Sequence, residues 1–385
     1  MNRDIIYLDY AAATPMSQRA IDAMLPYFRD KFFNPSAPYQ PAVEIRRDYQ
    51  LAKSRIAQAI GARGDEIIIT AGATESINLA LNSFDGHIVT TAIEHHAVLS
   101  VAKARNHTLV PVDSRGRVSV EAVAAAITDE TTIVSVGLAN SEIGTIQPLR
   151  EIAEIVGRER ARRQQVSSKT PIFFHTDASQ GAGQLDLSVA RLGVDMMTVN
   201  ASKVYGPKQV GLLWTAPPVK LRPVIVGGGQ ELGLRSGTEN VAGVMGFEAA
   251  LTEAVSHRKS TVENLTLLRN KLERLLIDAF PDAILSGHRR HRLASHLHIS
   301  FAGLDAERLV FALETRGVYV ATGSACAANK GTRSHVLTAI GLSDAEADGS
   351  LRLSLSGDLD EPAIDRAAEI IIDEVRREYE RLETL

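Results

Sequence analysis

The chain has 385 residues, of which 42 are basic and 46 acidic, giving a formal net charge of −4. Hydrophobic residues make up 45% and charged residues 23%, proportions that fit a globular protein and exclude a disordered or collagen-like chain. The mild acidity argues against a basic surface for nucleic acid or anionic lipid, so we expect no direct nucleic-acid partner, no membrane partner, and a small-molecule ligand.

Seven short β-rich runs, separated by helical patterns, occupy the chain from about residue 65 to residue 215. Continuous apolar strands spaced by helices indicate a largely parallel sheet that is buried on both faces, and hence an α/β domain. Between the strands, apolar residues at helical spacing predict a helix over Leu149–Arg163, followed by an exposed loop over Gln164–Lys169. The predicted strands are Ile67–Thr70, His87–Thr90, Leu109–Val112, Thr132–Val136, Pro171–Phe174, Met196–Val199 and Val210–Trp214.

The pattern changes after about residue 255, where we place a domain boundary. Helix and strand signals mix in the remaining chain, which is typical of a smaller α+β domain. The predicted elements are a helix over Asn264–Phe280, strands over His296–Phe301, Val318–Ala321 and Leu351–Ser354, and a closing helix over Ala363–Leu382. The first ten residues lack the apolar stretch of a secretory signal, and no apolar run reaches the length of a membrane span, so we expect a cytoplasmic protein.

Two polar groups follow predicted strands, where α/β sheets place their ligand sites. Lys203 lies just beyond one strand, and a desolvated lysine there can form a Schiff base, although most loop lysines are solvated surface charges. Asp177 follows a neighbouring strand, where it is either a helix N-cap or a carboxylate partner for a cofactor. A lysine for the imine and an acid for the pyridinium nitrogen are what pyridoxal phosphate (PLP) requires.

Two further segments suit the same cofactor. The small residues around Ala73 and Thr74 join a strand to a helix, so backbone amides and a hydroxyl at the helix start can hold a phosphate, or the segment is merely a capped helix. His95, within Glu94-His95-His96, follows the next strand. Its imidazole either stacks on a flat cofactor ring or is a half-exposed loop histidine.

Cys326 is the only cysteine in the chain, which excludes an intrachain disulfide and a multi-cysteine metal site, and we predict no metal. A lone cysteine is usually a buried small hydrophobe. Here it lies in a run of small residues from Ala321 to Gly331, with Lys330 and Arg333 nearby to favour a thiolate. This setting favours a nucleophile, and the alternative is the usual buried hydrophobe.

In order along the chain, seven motifs resemble those of PLP-dependent cysteine desulfurases within the class V aminotransferases. The resemblance covers nearly the whole chain. The motifs are Gly72-Ala73-Thr74-Glu75-Ser76, Glu94-His95-His96-Ala97-Val98, Glu142-Ile143-Gly144, His175-Thr176-Asp177-Ala178, Lys203-Val204-Tyr205-Gly206-Pro207-Lys208, Gly227 through Asn240, and Gly323-Ser324-Ala325-Cys326.

The resemblance implies a role for each matching residue. Lys203 would carry the cofactor covalently, His95 would stack on its ring, and Cys326 would take the substrate sulfur as a persulfide. Arg352 would bind the substrate carboxylate, for which a planar guanidinium is suited. The other implied cofactor-binding residues are Ala73, Thr74, Ser141, Asp177, Gln180, Asn200, Ser202 and Thr238, with Asn140 at the substrate.

The resemblance also implies the overall organisation. We expect a PLP-dependent transferase fold of type I, with a mainly parallel seven-stranded sheet in a large PLP-binding domain (16–255). A segment over 1–15 would pack with a small C-terminal domain (256–385) that carries the Cys326 loop. Thr238 would reach the cofactor phosphate of a second subunit, which implies a homodimer with composite sites.

The implied reaction removes sulfur from L-cysteine, gives L-alanine and leaves a persulfide on Cys326 for an acceptor protein. The acceptor stays open between iron–sulfur cluster assembly, tRNA thiolation and another pathway. The alternatives are a selenocysteine lyase or another class V enzyme, and a degenerate scaffold in a sulfur-transfer complex.

Three positions depart from the family pattern. Ser202 replaces the usual histidine before the lysine, Ser141 replaces an asparagine, and Tyr39 replaces a histidine that follows Asn34-Pro35-Ser36. Serine can still donate a hydrogen bond to phosphate, but it lacks the acid–base capacity of imidazole. These departures predict slow turnover or an altered substrate.

Overall fold

The computed structural model describes residues 5–323 and 333–384. The strands within these residues are β1 (Ile6–Tyr7), β2 (Ile67–Thr70), β3 (His87–Thr91), β4 (His107–Val110), β5 (Thr131–Ser135), β6 (Phe173–Asp177), β7 (Met196–Asn200), β8 (Gly211–Thr215), β9 (Ile284–Ser286), β10 (His296–Ser300), β11 (Val318–Tyr319) and β12 (Ser350–Ser354).

The helices described are α1 (Gln18–Met24), α2 (Pro26–Arg29), α3 (Gln40–Ala59), α4 (Ala73–Asn82), α5 (His96–Lys103), α6 (Val120–Ala126), α7 (Leu149–Gln165), α8 (Val189–Leu192), α9 (Val241–Ala279), α10 (Ala306–Thr315), α11 (His335–Ala339), α12 (Asp344–Asp348) and α13 (Glu361–Glu383). Among the described residues, no helix combines the length and the apolar character that a membrane crossing needs.

Seven strands form one sheet in the order β2-β8-β7-β6-β5-β3-β4. Strand β8 runs antiparallel to both of its neighbours, and the remaining pairs are parallel. The predicted α/β class with a mainly parallel seven-stranded sheet is therefore confirmed. At one edge, the sheet brings together the carboxyl end of β6, which carries Asp177, and the carboxyl end of β7, which precedes Lys203.

Two strands of the large sheet are shifted by two residues or more from their predicted bounds, and the others by at most one. Strand β4 begins and ends two residues before the predicted Leu109–Val112, and β6 covers Phe173–Asp177 rather than Pro171–Phe174. Proline cannot donate to a strand ladder, so Pro171 suits the approach to β6 better than its interior. At the other end, the polar residues His175 and Thr176 are fully buried inside the strand.

A smaller antiparallel sheet has the order β12-β10-β9, and β1 pairs in parallel with β11. Leu297 of β10 and Leu351 of β12 point into an apolar core that also contains Leu8. Because side chains alternate across a strand, the other face of β10 and β12 carries His298 and Arg352, which are directly paired.

Helix α9 has 39 residues and joins the two parts of the molecule. Its first half, down to Leu251, packs into the core of the large sheet, and its second half, from Leu265, packs into the small core. The predicted helix over Asn264–Phe280 is only its second half. The first half is buried on several sides, so its sequence lacks the polar face that marks a helix.

Candidate active site

A cavity of about 320 Å³ lies at the carboxyl edge of the large sheet. Strands β6 and β7, the starts of α4 and α5, and Arg352 of the small sheet all contribute to its wall. Ten of the residues predicted for the site line it, namely Ala73, Thr74, His95, Asn140, Ser141, Asp177, Gln180, Asn200, Lys203 and Arg352.

Lys203 follows β7 in a single helical turn, Ala201–Lys203, in which the Ser202 amide donates to the Asn200 side chain. Its Nζ donates hydrogen bonds of 2.7 Å to the carbonyl oxygens of both Ala11 and Ala12. The N-terminal segment therefore runs directly past the amine and holds it against the cavity.

Asp177 ends β6, and its Oδ1 accepts a hydrogen bond of 3.0 Å from the backbone amide of Ser179. Nearby, the Gln180 side-chain amide donates to the Ala11 carbonyl at 3.0 Å. The hydroxyl of Ser179 also borders the cavity and is buried, and it has no hydrogen-bond partner within residues 5–323 and 333–384. This wall thus offers a carboxylate and an unpartnered hydroxyl.

The residue two before Asp177 is a neutral histidine. Burial lowers the pKa of His175 to about 4, although the negative charge of Asp177 acts in the opposite direction. The two ring nitrogens of His175 lie 2.9 Å from the Ser135 hydroxyl and 3.0 Å from the Thr198 hydroxyl. These contacts fix β6 between its neighbours without adding a cation beside Asp177.

The start of α4 forms another part of the wall. Gly72 has a φ of 129°, a backbone conformation that suits glycine, and it turns the chain from β2 into the helix. Ala73 and Thr74 in the first turn border the cavity, and free amides at a helix start favour an anion. Asn200 lines the cavity as well.

Glu94 also lines the cavity, although the sequence pattern predicted only its neighbour His95 as a site residue. Burial raises the pKa of its carboxyl group to about 7, and the charge of Asp177 adds to this, while hydrogen bonds from Thr91 and Gly137 oppose it. The hydroxyl of Thr91 donates at 2.7 Å and the amide of Gly137 at 3.0 Å. The only sequence signal for Glu94 is its position as a polar residue shortly after a predicted strand.

Arg352 enters the cavity from β12 with only 3% of its side chain exposed. Its Nη2 donates to Oδ1 of Asp9 at 2.6 Å, and its Nη1 lies 3.4 Å from the carbonyl oxygen of Ser141. Asp9 is a second residue that the sequence reasoning missed. Nothing in the sequence connects two residues 343 positions apart.

Asn140 and Ser141 lie on the loop after β5. The side-chain oxygen of Asn140 accepts from the amides of Glu142 and Ile143, and its Nδ2 donates to the carbonyl of Ile93. The Asn140 side chain therefore holds this loop in shape, while Ser141 presents its backbone to Arg352.

Two of the predicted site residues in the described part of the chain, Ser202 and Thr238, do not line the cavity. The Ser202 hydroxyl donates to Oδ1 of Asn200 at 3.1 Å. Thr238 is exposed and borders a separate pocket of about 170 Å³ with Glu231 and Arg235. Cys326 lies in residues 324–332, outside the described residues.

The cavity fits PLP by the chemistry of its donors. It combines the primary amine of Lys203, the carboxylate of Asp177 and the start of α4, which match the aldehyde, the ring nitrogen and the phosphate of that cofactor. The buried, unpartnered hydroxyl of Ser179 is a further group that a polar ligand would satisfy.

Comparisons with known proteins point in one direction. Residues 6–366 match the family model for aminotransferase class-V. The chain is 39% identical to a cysteine desulfurase IscS of Clostridium botulinum, covering 96% of this chain and 94% of that protein. It superposes on a NifS-like protein with a TM-score of 0.88 and 32% identity, over 96% and 98% of the two chains. It also resembles SspA in complex with cysteine, with a TM-score of 0.77 and 32% identity, over 91% and 99%.

Proposed function

Given that this chain belongs to the aminotransferase class-V family and is a cysteine desulfurase, we propose that it acts on L-cysteine with PLP held by Lys203. The observation that carries this proposal is the meeting of Lys203, Asp177 and Arg352 in one cavity. They come from both parts of the molecule and supply an amine, an acid and a guanidinium to a space of ligand size.

Each of these residues has a task that follows from its position. When bound, PLP withdraws electrons from the α-carbon of the amino acid. Asp177 holds a proton on the ring nitrogen, and Ala73 and Thr74 at the start of α4 bind the phosphate. Lys203 moves the α-proton, and the carbonyls of Ala11 and Ala12 keep its amine beside the substrate.

Arg352 binds the substrate carboxylate, and Cys326 takes the sulfur. The Cys326 thiolate attacks the sulfur atom of L-cysteine, an S–S bond forms and the C–S bond breaks. The electron pair of the C–S bond stays with carbon, which gains a proton to become the methyl group of L-alanine. One thiol and one L-cysteine thus become one persulfide and one L-alanine.

The proposal extends to partners and organisation. Thr238 lies outside the cavity of its own chain, which supports a homodimer in which it serves the partner's site. An acceptor protein collects the persulfide sulfur. We also propose the division into a segment 1–15, a large domain 16–255 and a small domain 256–385, and a cytoplasmic location.

The test is an assay of the purified protein with PLP, L-cysteine and a thiol reductant, in which L-alanine and sulfide are quantified together. We expect equal amounts of both. Lys203→Ala should abolish the imine absorbance and the turnover, whereas Lys208→Ala, an exposed lysine of the same loop, should retain both.

Cys326→Ala separates the sulfur step from the cofactor step. This variant should keep the imine absorbance and lose the persulfide. A fully active Cys326→Ala protein would contradict the role of Cys326. Neither product from wild-type protein that retains the absorbance would favour the scaffold, and faster release of L-alanine from selenocysteine would favour the lyase.

A further inference from the structure

Asp9 contacts Arg352, the residue proposed to bind the substrate carboxylate, on the side of the guanidinium that faces away from the cavity. Its Oδ1 accepts a hydrogen bond of 2.6 Å from Nη2 of Arg352, and the two side chains are 18% and 3% exposed. Arg352 lines the cavity and Asp9 does not. The carboxylate therefore touches the guanidinium on a side away from the space for substrate.

The backbone fixes Asp9 in this place. Asp9 bridges to Ser354 at the end of β12, two residues from Arg352. The amide of Ser354 donates to the carbonyl of Leu8 at 2.7 Å, and the Tyr7 hydroxyl donates to the carbonyl of Asp9 at 2.9 Å. Asp9 and Arg352 thus belong to one hydrogen-bonded unit.

The other contacts of Arg352 are weaker. Its Nη1 reaches the Ser141 carbonyl only at 3.4 Å, and its buried Nε has no partner among the described residues. His298, opposite Arg352 in the sheet, has a pKa lowered to about 3 by burial, so it is a neutral neighbour. Glu142, a nearby carboxylate, accepts from the Ser334 hydroxyl. Asp9 is accordingly the strongest restraint on the guanidinium.

We propose that Asp9 is a positioning residue that acts through Arg352 to orient its guanidinium toward the substrate carboxylate, and so makes the site selective for amino acids with a free carboxylate. The inference rests on the proposed function of Arg352. A planar fork binds a carboxylate through two donors only when its plane is fixed, and a 2.6 Å contact to a charged acceptor fixes it.

Asp9 could instead compete with the substrate for Arg352, and the two effects have opposite signs. Competition predicts tighter substrate binding when Asp9 is removed. Positioning predicts weaker binding, since a buried arginine without its carboxylate loses its orientation and its charge compensation. The 3% exposure of Arg352 favours positioning, because water cannot replace the lost partner.

The experiment uses Asp9→Ala and Asp9→Asn in the PLP-loaded protein. Asp9→Ala should raise the KM for L-cysteine roughly tenfold, the loss of one charged hydrogen bond, with kcat changed less than about threefold. Asp9→Asn, which keeps an acceptor but loses the charge, should fall between. Asp22→Ala, which removes an exposed carboxylate on α1, is the matched control and should match wild type.

A binding measurement separates positioning from general damage. The affinities of L-alanine and of ethylamine, which lacks the carboxylate, are followed by the cofactor absorbance. Asp9→Ala should weaken the binding of L-alanine roughly tenfold and leave the affinity for ethylamine unchanged. An unchanged or lowered KM, or equal weakening of both amines, would overturn the inference. Should Asp9→Ala not fold, Asp9→Asn answers the same question.

Arg352→Lys tests the proposed role of Arg352 in binding the substrate carboxylate, on which the inference about Asp9 rests. If Arg352→Lys still prefers L-alanine over ethylamine as wild type does, the role of Arg352 fails, and the role of Asp9 falls with it. If Arg352→Lys loses that preference while both Asp9 variants keep it, only the inference about Asp9 is wrong.

Discussion

Single residues at this site owe their charge states to burial. His175, His296 and His298 are almost completely buried, and burial is the main cause of the lowering of their pKa values to about 4, 3 and 3. A histidine whose pKa is lower in the folded than in the unfolded state binds fewer protons when folded. Its contribution to stability is therefore present above pH 6.5 and is lost as the pH falls toward the folded pKa.

The lowered pKa of His298 gives a prediction for the pH dependence of stability in His298→Asn, which replaces the imidazole by a neutral amide. Wild type should lose about 2 kcal/mol more unfolding free energy than the variant between pH 7 and pH 5, because the unfolded histidine takes up a proton in that window. Urea unfolding at both pH values measures the difference. His257→Asn, exposed on α9, is the control, and equal losses in wild type and His298→Asn would contradict the prediction.

At the scale of elements, α11 attaches the small part of the molecule to the cavity wall. Ser334 caps α11 by accepting from the amides of Val336 and Leu337, and its hydroxyl donates to the buried carboxylate of Glu142. The next residue, His335, lies with its Nε2 2.9 Å from the carbonyl of Glu94. The loop after β5 and the cavity residue Glu94 thus share one helix start.

Ser334→Ala should therefore cost more than the loss of a helix cap. It removes the cap and also leaves the buried Glu142 carboxylate without its donor, a combined loss of roughly 2–4 kcal/mol in unfolding free energy. Ser343→Ala, at the exposed cap of α12, is the matched control and should cost about 1 kcal/mol. Chemical unfolding compares the two, and equal costs would show that the contact with Glu142 contributes nothing.

At the scale of the whole molecule, the N-terminal segment and α9 tie the two cores together. Asp9 bonds to the small sheet, the carbonyls of Ala11 and Ala12 bond to Lys203, and the Thr14 hydroxyl donates to the carbonyl of Ser202. The site is thus completed only when both parts are folded together. Thr238, on the loop before α9, does not line the cavity and borders a separate pocket.

Complementation tests whether Thr238 serves a partner's site. Lys203→Ala should be inactive and Thr238→Ala strongly impaired, but mixed dimers contain one site with Lys203 from one chain and Thr238 from the other. After dissociation and random reassociation, roughly a quarter of wild-type activity should appear. The mixture should show no gain if Thr238 acts within its own chain, and wild type taken through the same dissociation and reassociation controls for losses in the procedure.

The sequence by itself determined the seven strands, the family and most residues of the cavity, because apolar runs and short motifs are local patterns. Asp177 and Lys203 could be placed at one sheet edge since parallel strands end together. The tertiary structure alone decided the contact of Asp9 with Arg352, the hold of Ala11 and Ala12 on Lys203, and the full length of α9. These depend on segments far apart in the chain, and on a helix half with no polar face, so no local pattern records them.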